Sequence, residues 1–437
     1  MYTAFITRIK NIRKHTNADR LLVGECFGNN VIVGLDAQLN QLGIYFPSDG
    51  KLGIEYATKN DLLRRKDENG NNCGGYLDPE KRNIRALRLR GEQSDGLFMP
   101  LESLKDFTDI SELKDGDTIS VLNGVVICEK YIPQGRIHNH GGGAKGKAKT
   151  EPKTKYPFFA EHSDTSQLQY NLNQFKPDDC IVMTLKMHGT SQRTSNTIQE
   201  SKAKQTILQR VMSRIVKKPA KILRSWAYIS GTRRTVLTGK AVKDGGYYKD
   251  SDFRMKYHDF FVDKLQKGEE IFYEVVGFIN ETTPIMGTCS NKKLGDKEFV
   301  KQYGDITTFS YGCNIGENDI YVYRMTMTNE DGFTVEYPWS LVKLRCEQMG
   351  VKYVPEFEVF NFTTTDDLMR RVNNYADGVD PIGRTHVREG VVVRIGNREK
   401  FSAYKHKNFA FKVLEGIIKE EAIIPDIEEQ EETKDDG

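Results

Sequence analysis

The chain reads as α+β in two domains, a mostly β module followed by a larger domain whose strands carry polar motifs and whose helices pack outside them. Three observations predict this. Residues 1 to about 130 hold short apolar or alternating runs separated by Asn, Gly and Asp turns. A glycine- and lysine-rich stretch at 135–155 interrupts the chain. Beyond it, β-type runs lie next to isolated Lys, Glu and Tyr residues, and 437 residues leave ample core for both domains.

In the first domain, 1–134, the strands are read at Ala4–Ile9, Leu21–Cys26, Val31–Gly34, Ile84–Leu89 and Thr118–Leu122, with a helix at Glu55–Lys66. Strands at this spacing suggest a small barrel, and an OB-like β-barrel is one architecture with this look. Arg85, Arg88 and Arg90 fit two readings, a strand face that contacts nucleic-acid phosphates or an ordinary solvated face. Asn17 and Asp19 read as turn caps.

Residues 135–155 form the linker, with six basic residues against one acidic, a composition that suits a flexible segment tracking a phosphate backbone. Gly141 to Lys147 has the spacing of a phosphate-binding loop. Ala148 stands where a metal-binding hydroxyl is needed and no apolar strand precedes it, so that reading is rejected. His138 and His140 have no further ligands near them in the chain.

Seven cysteines, none in a C-x-x-C pair, point to reduced thiols and an intracellular, cytoplasmic protein. No apolar run of about 18 residues is present, so no membrane partner is expected. The net charge of +3 conceals an asymmetry. Residues 421–437 carry eight acidic residues and one lysine, which leaves +10 on the remainder, an excess that suits a polyanionic partner. The tail, 419–437, reads as disordered, for solubility or regulation.

The second domain, 156–418, is organised around Cys180-Ile-Val-Met-Thr-Leu-Lys186-Met-His188-Gly189-Thr190-Ser191. An apolar strand here delivers one lysine to a glycine-bearing turn. A lysine amine becomes a nucleophile only when partly deprotonated, which takes desolvation or neighbouring cations. Gly189 lets backbone approach a phosphate, and Thr190 and Ser191 add hydroxyls and amides. Residues Ser201–Trp226 place Ile207, Leu208, Val211, Met212 and Ile215 at helical spacing among basic residues, a helix that packs one face and solvates the other or lies along nucleic acid. Helices are also read at Trp339–Met349 and Asp366–Tyr375, and a strand at Tyr353–Val359.

Four more stretches follow in order: Ile271-Phe-Tyr-Glu274-Val-Val-Gly277, Ile320-Tyr-Val-Tyr323, Arg388-Glu389-Gly390-Val-Val-Val-Arg394 and Tyr404-Lys405-His406-Lys407-Asn408. With the Lys186 motif, this series resembles the covalent nucleotidyltransferases, the superfamily of ATP-dependent DNA and RNA ligases and mRNA-capping enzymes, over roughly 156–412. The Lys-x-His-Gly form is similar to the phage nick-sealing RNA ligases. The phrases His15-Thr-Asn17-Ala-Asp19-Arg-Leu21 and Arg88-Leu-Arg90-Gly91-Glu-Gln-Ser94-Asp-Gly96 resemble parts of OB-type tRNA-binding modules. An OB module ahead of a nucleotidyltransferase resembles the Deinococcus-type RNA ligases.

The resemblance implies an ATP-dependent RNA ligase using ATP and Mg²⁺ or Mn²⁺, with a nicked, RNA-containing duplex as partner. Lys186 is then the nucleophile, and His188 serves AMP transfer to the 5′-phosphate. Glu274 binds the ribose, Tyr323 stacks on the adenine or is a core tyrosine, and Glu389 holds the metal. Lys405 and Lys407, alternate residues on one strand face, meet the phosphate charge. Arg233 or Arg234 binds the acceptor 5′-phosphate, and the sequence leaves that choice open. Leu185 and Arg324 depart from acidic residues frequent in the family. A DNA ligase or capping-type guanylyltransferase normally has its OB domain after the core, and only 30 residues follow Lys407. A non-catalytic RNA-binding protein of the same fold is the remaining alternative. A leading module on a flexible linker also predicts that deleting 1–134 spares self-adenylation.

Overall fold

The computed structural model describes residues 2–70, 72–132, 154–159, 162, 165–203, 222–233, 235–237 and 252–421. The linker up to 153, with His138, His140 and Gly141–Lys147, lies outside the described residues, as do Arg234, most of the Ser201–Trp226 segment and the acidic tail beyond 421.

The chain divides into two compact units. One comprises Met1–Ile137, Thr288–Thr307 and Lys407–Gly437; the other comprises His138–Gly287 and Thr308–His406.

In the first unit an antiparallel sheet runs in the order Leu97–Pro100, Leu42–Phe46, Ala4–Arg8, Thr118–Ile119. Ile6, Ile44, Phe46, Leu52, Tyr56, Leu104 and Ile127 are fully buried beneath it. Lys10–Lys14, Leu21–Cys26 and Asn29–Gly34 make a separate three-stranded sheet. Among the described residues no sheet closes on itself, so the OB-like β-barrel expected of this domain is not shown by them. The helix read over Glu55–Lys66 is shorter, Ile54–Lys59. Asp61 takes a left-handed φ of 51°, which ends the helix, and Arg64–Lys66 becomes a strand paired with Asn72–Gly74. Two later segments join this unit. Asp296 caps the helix Lys297–Tyr303 by accepting from the amides of Glu298 and Phe299, and its carboxylate also meets Arg88 at 3.2 Å. The helix Phe409–Glu421 buries Phe411 and Leu414 completely and pairs Lys412 with Asp95 at 2.5 Å.

The second unit is built on two sheets. One runs in the order Ser166–Gln167, Ala403–Lys407, Gly390–Ile395, Cys180–Lys186, Glu356–Asn361. Along Cys180–Lys186 the side chains divide by parity. Ile181 and Met183 join Val391, Val393 and Ile395 in a core closed by Leu368, Val372 and Ala376. These last three recur every fourth residue on the helix Thr365–Ala376, which Thr364 caps by accepting from the Asp367 amide. Val182, Thr184 and Lys186 face the other way, with their register partners Arg394, Val392 and Gly390.

The second sheet is antiparallel, with Thr190–Lys202, Glu269–Asn280 and Asn318–Thr328 at its centre. Thr190–Lys202 is almost entirely polar yet mostly buried. Thr194 bonds Ser230 and Tyr273, Ser195 donates to the Glu269 carbonyl, and Asn196 donates to the Leu265 carbonyl. At the described end of the Ser201–Trp226 segment the chain is a strand: Ile222–Gly231 pairs with Arg193–Lys202. The strand expected at Tyr353–Val359 lies slightly later, at Glu356–Asn361.

Candidate active site

Lys186 ends its strand opposite Gly390, and its amine lies 2.7 Å from Glu389 Oε1. The Glu389 side chain is 2% exposed and that of Lys186 is 21% exposed, so the carboxylate is the buried member of the pair. Removing a carboxylate from water is costly unless charge and hydrogen bonds compensate. The Lys186 ammonium compensates here, and His188 Nδ1 lies 3.9 Å from the other oxygen.

The turn after Lys186 is fixed from two sides. The Gly189 amide donates to Glu274 Oε1 at 3.0 Å, and the His188 amide donates to Tyr311 Oη at 2.7 Å. A Cβ at Gly189 would fall 2.4 Å from the Val275 carbonyl oxygen, so glycine is required by the turn's packing on Glu269–Asn280. Arg254, on the helix Asp252–Phe261, donates to Thr190 Oγ1 at 2.6 Å and to the Ser191 carbonyl at 3.1 Å. Backbone, hydroxyl and carboxylate around Lys186 are thus held before any ligand arrives.

Tyr323 sits at a β-bulge. Phe272 pairs with Arg324 and Tyr273 with Val322, which leaves Tyr323 as the extra residue. The bulge brings Tyr323 and Arg324 to the same neighbour: the Tyr323 hydroxyl lies 3.3 Å from His162 Nε2, and Arg324 lies 3.2 Å from Nδ1. Arg324 is bidentate to Glu336 and packs over the rings of Phe272 and Phe401. Behind it, Arg394 donates to the Tyr323 carbonyl. Burial lowers the Arg394 pKa to about 10, which still leaves a positive charge at neutral pH on the Lys186 face of the sheet.

On Ala403–Lys407, the Tyr404 ring lies 5.3 Å from Phe175, in the helix-side core. Alternation therefore directs Lys405 to the opposite face, the one that carries Lys186. Lys407 follows by the same alternation and places its amine 2.6 Å from Glu415 Oε2. Arg233 is half-buried, and its carbonyl accepts from the His162 amide.

The three N-terminal arginines do not share a strand face. Arg85 is exposed between two short strands, and Arg90 is an exposed left-handed turn residue with φ 48°. Arg88 alone lies within Ala86–Leu89, where it meets Asp296 and lies 5.9 Å above the Phe409 ring. The phrases around His15 and Arg88 do come together. His15 Nε2 lies 3.0 Å from the Leu89 carbonyl, and Asn17 donates to the Arg90 carbonyl at 2.9 Å.

Among the described residues, no three His, Cys, Asp or Glu side chains converge as a metal-binding group. A lone buried carboxylate fits Mg²⁺ or Mn²⁺ that takes its remaining ligands from phosphate oxygens and water, the usual way Mg²⁺ is held beside a nucleotide. Tyr311, Arg254 and His162 carry no motif in the sequence; contacts with the lysine turn identify the first two, and contacts with Tyr323 and Arg324 identify His162.

No protein-family model matches the chain. No curated protein matches it either. Solved structures do match. A lysine-to-alanine variant of Naegleria gruberi RNA ligase with ATP and Mn aligns over 94% of this chain and 98% of its own, with TM-score 0.57 and 14% identity. The same ligase with PPi aligns over 93% and 97%, with TM-score 0.56 and 16% identity. A glutamate-to-alanine variant with AMP and Mn aligns over 94% and 97%, with TM-score 0.55 and 15% identity. At these identities the likeness is one of fold.

Proposed function

We propose that this protein is an ATP-dependent RNA ligase that joins 3′-hydroxyl and 5′-phosphate ends, at nicks in duplexes with RNA on the 3′-hydroxyl side. The observation that carries the reading is the Lys186 amine on the buried Glu389, beside a turn held by Glu274. The fold shared with RNA ligase structures over nearly the whole chain supports it.

Lys186 Nζ, once deprotonated, attacks the α-phosphorus of ATP; the Nζ–P bond forms and the bond to pyrophosphate breaks. A 5′-phosphate oxygen of the nucleic acid then attacks the same phosphorus and releases Lys186. Finally the 3′-hydroxyl attacks the 5′-phosphorus, forms the phosphodiester and expels AMP. A divalent cation bound at Glu389 would supply charge neutralisation on the phosphates and compete with Lys186 for its carboxylate. Tyr323 is assigned the adenine face, Glu274 the ribose, and Lys405 and Lys407 the phosphate charge. His188 is assigned to the second step, and Arg233 or Arg234 to the acceptor 5′-phosphate. The N-terminal unit is assigned to nucleic acid, with Arg85 and Arg90 as its exposed cations.

Labelling with α-³²P ATP tests this. The wild-type protein should give a labelled band, and Lys186→Ala and Lys186→Arg should give none, because a guanidinium with a pKa above about 12 cannot attack. A band that persists in either variant moves the nucleophile elsewhere.

A further inference from the structure

Tyr311 belongs to no recognised motif, yet it is the residue on which the Lys186 turn rests. It lies in the loop before Asn318–Thr328 and is 3% exposed. Its φ of 51° is left-handed, as is that of Gly312 at 79°. A tyrosine held in that region carries a conformational cost that its surroundings must offset. They do so by packing. The His386 ring lies 4.6 Å from the Tyr311 ring and 5.1 Å from Phe309, and Phe309 in turn lies 4.7 Å edge-on to His188. A Cβ at Gly383 would fall 2.4 Å from the Gly312 amide nitrogen, so this neighbour must be glycine.

The segment carrying His386 is itself rigid. Asp380, fully buried, accepts through Oδ2 from the amides of Ile382, Gly383 and Arg384, while its own amide donates to the His386 carbonyl. His386 Nδ1 lies 2.9 Å from the Val387 carbonyl. Arg388 donates to the carbonyls of Val379 and Tyr375. The next residue is Glu389. One aromatic cluster therefore backs both partners of the Lys186–Glu389 pair, and it meets the turn through the Tyr311 hydroxyl on the His188 amide.

We propose that Tyr311 is a positioning residue: by accepting the His188 amide on a ring clamped against His386, it fixes the turn that delivers the Lys186 amine and the His188 imidazole. This rests on the ligase reading above. Burial and the Glu389 charge push the Tyr311 phenol well above its ordinary pKa, so the hydroxyl stays neutral across the neutral range.

Tyr311→Phe keeps the ring and removes only the acceptor. A buried donor left unsatisfied corresponds to a loss of about tenfold or more when the lost contact orders the reacting group. In the full-length variant, the rate of self-adenylation should fall by about that factor with the KM for ATP unchanged. Joining of a pre-adenylated strand bypasses Lys186 and should fall least. The His188 amide should exchange with deuterium about tenfold faster, with the melting temperature nearly unchanged. Unaltered exchange, unaltered adenylation, or an equal loss at all three chemical steps overturns the proposal. A wild-type protein that never labels counts against the ligase reading alone, since His188 exchange still decides whether Tyr311 holds the turn.

Discussion

The two units use charge differently. In the unit that carries Lys186, ion pairs are drawn into the interior, Arg193 with Glu270, Arg324 with Glu336, Arg345 with Glu269 and Lys186 with Glu389, each with at least one side chain under 10% exposed, while pairs such as Lys352 with Asp319 stay outside. In the N-terminal unit, Arg8 with Asp115 and Arg65 with Asp61 stay in solvent. Its most enclosed pairs, Lys412 with Asp95 and Lys407 with Glu415, involve the C-terminal segment. Exposed pairs contribute little, while a buried pair is costly to assemble and costlier to break. Enclosed charge thus marks where each unit fixes geometry, around the lysine turn in one and where the helix Phe409–Glu421 docks in the other.

The strongest way to break this contrast is to remove the first partner of that helix. A chain beginning at residue 135 would leave Lys412 without Asp95 and the Phe409 ring without Arg88, in a helix that starts two residues after Lys407. These contacts lead to the opposite prediction from the one the sequence alone suggests for self-adenylation after the deletion. The truncated protein should be poorly soluble or should label far less with ATP than the full chain. Soluble protein labelling at the full rate would show that the helix needs neither contact.

A paired truncation sharpens the comparison. Glu270→Ala leaves the Arg193 guanidinium buried without its carboxylate, and should cost about 3–5 kcal/mol in urea unfolding. Arg65→Ala, which breaks an exposed pair, should produce no measurable change.

The smallest effect concerns pH. Burial holds His258, whose Nδ1 lies 2.9 Å from Ser230 Oγ, below its ordinary pKa. The unfolded chain takes up this proton near pH 6.5, at about the reference value, while the folded protein does not. Stability from this group is therefore full above that pH and declines as the pH falls below it. In His258→Asn the urea midpoint should fall less between pH 7.5 and 5.5 than in the wild type. Parallel curves would show that His258 titrates normally.

Some of this is written in the sequence by itself. The apolar run before Lys186, the glycine three residues after it and the period-four stripe Leu368, Val372, Ala376 are local patterns, and local patterns fix a strand, a turn and a helix face. The order of the Lys186, Glu274, Tyr323, Glu389 and Lys405 stretches was legible for the same reason. The strand Thr190–Lys202 was not, because its residues are polar and become buried only through partners such as Glu270, Ser230 and Tyr273, far away in the chain. Nor was the bulge at Tyr323, which exists only as a mismatch between two paired strands. Tyr311 stands 123 residues after the amide it accepts, and Asp95 lies 317 residues before Lys412. Contacts at such separations leave no periodicity to read, since which groups meet is set by the packing of whole sheets; that decided how the lysine turn is held and which helix completes the N-terminal unit.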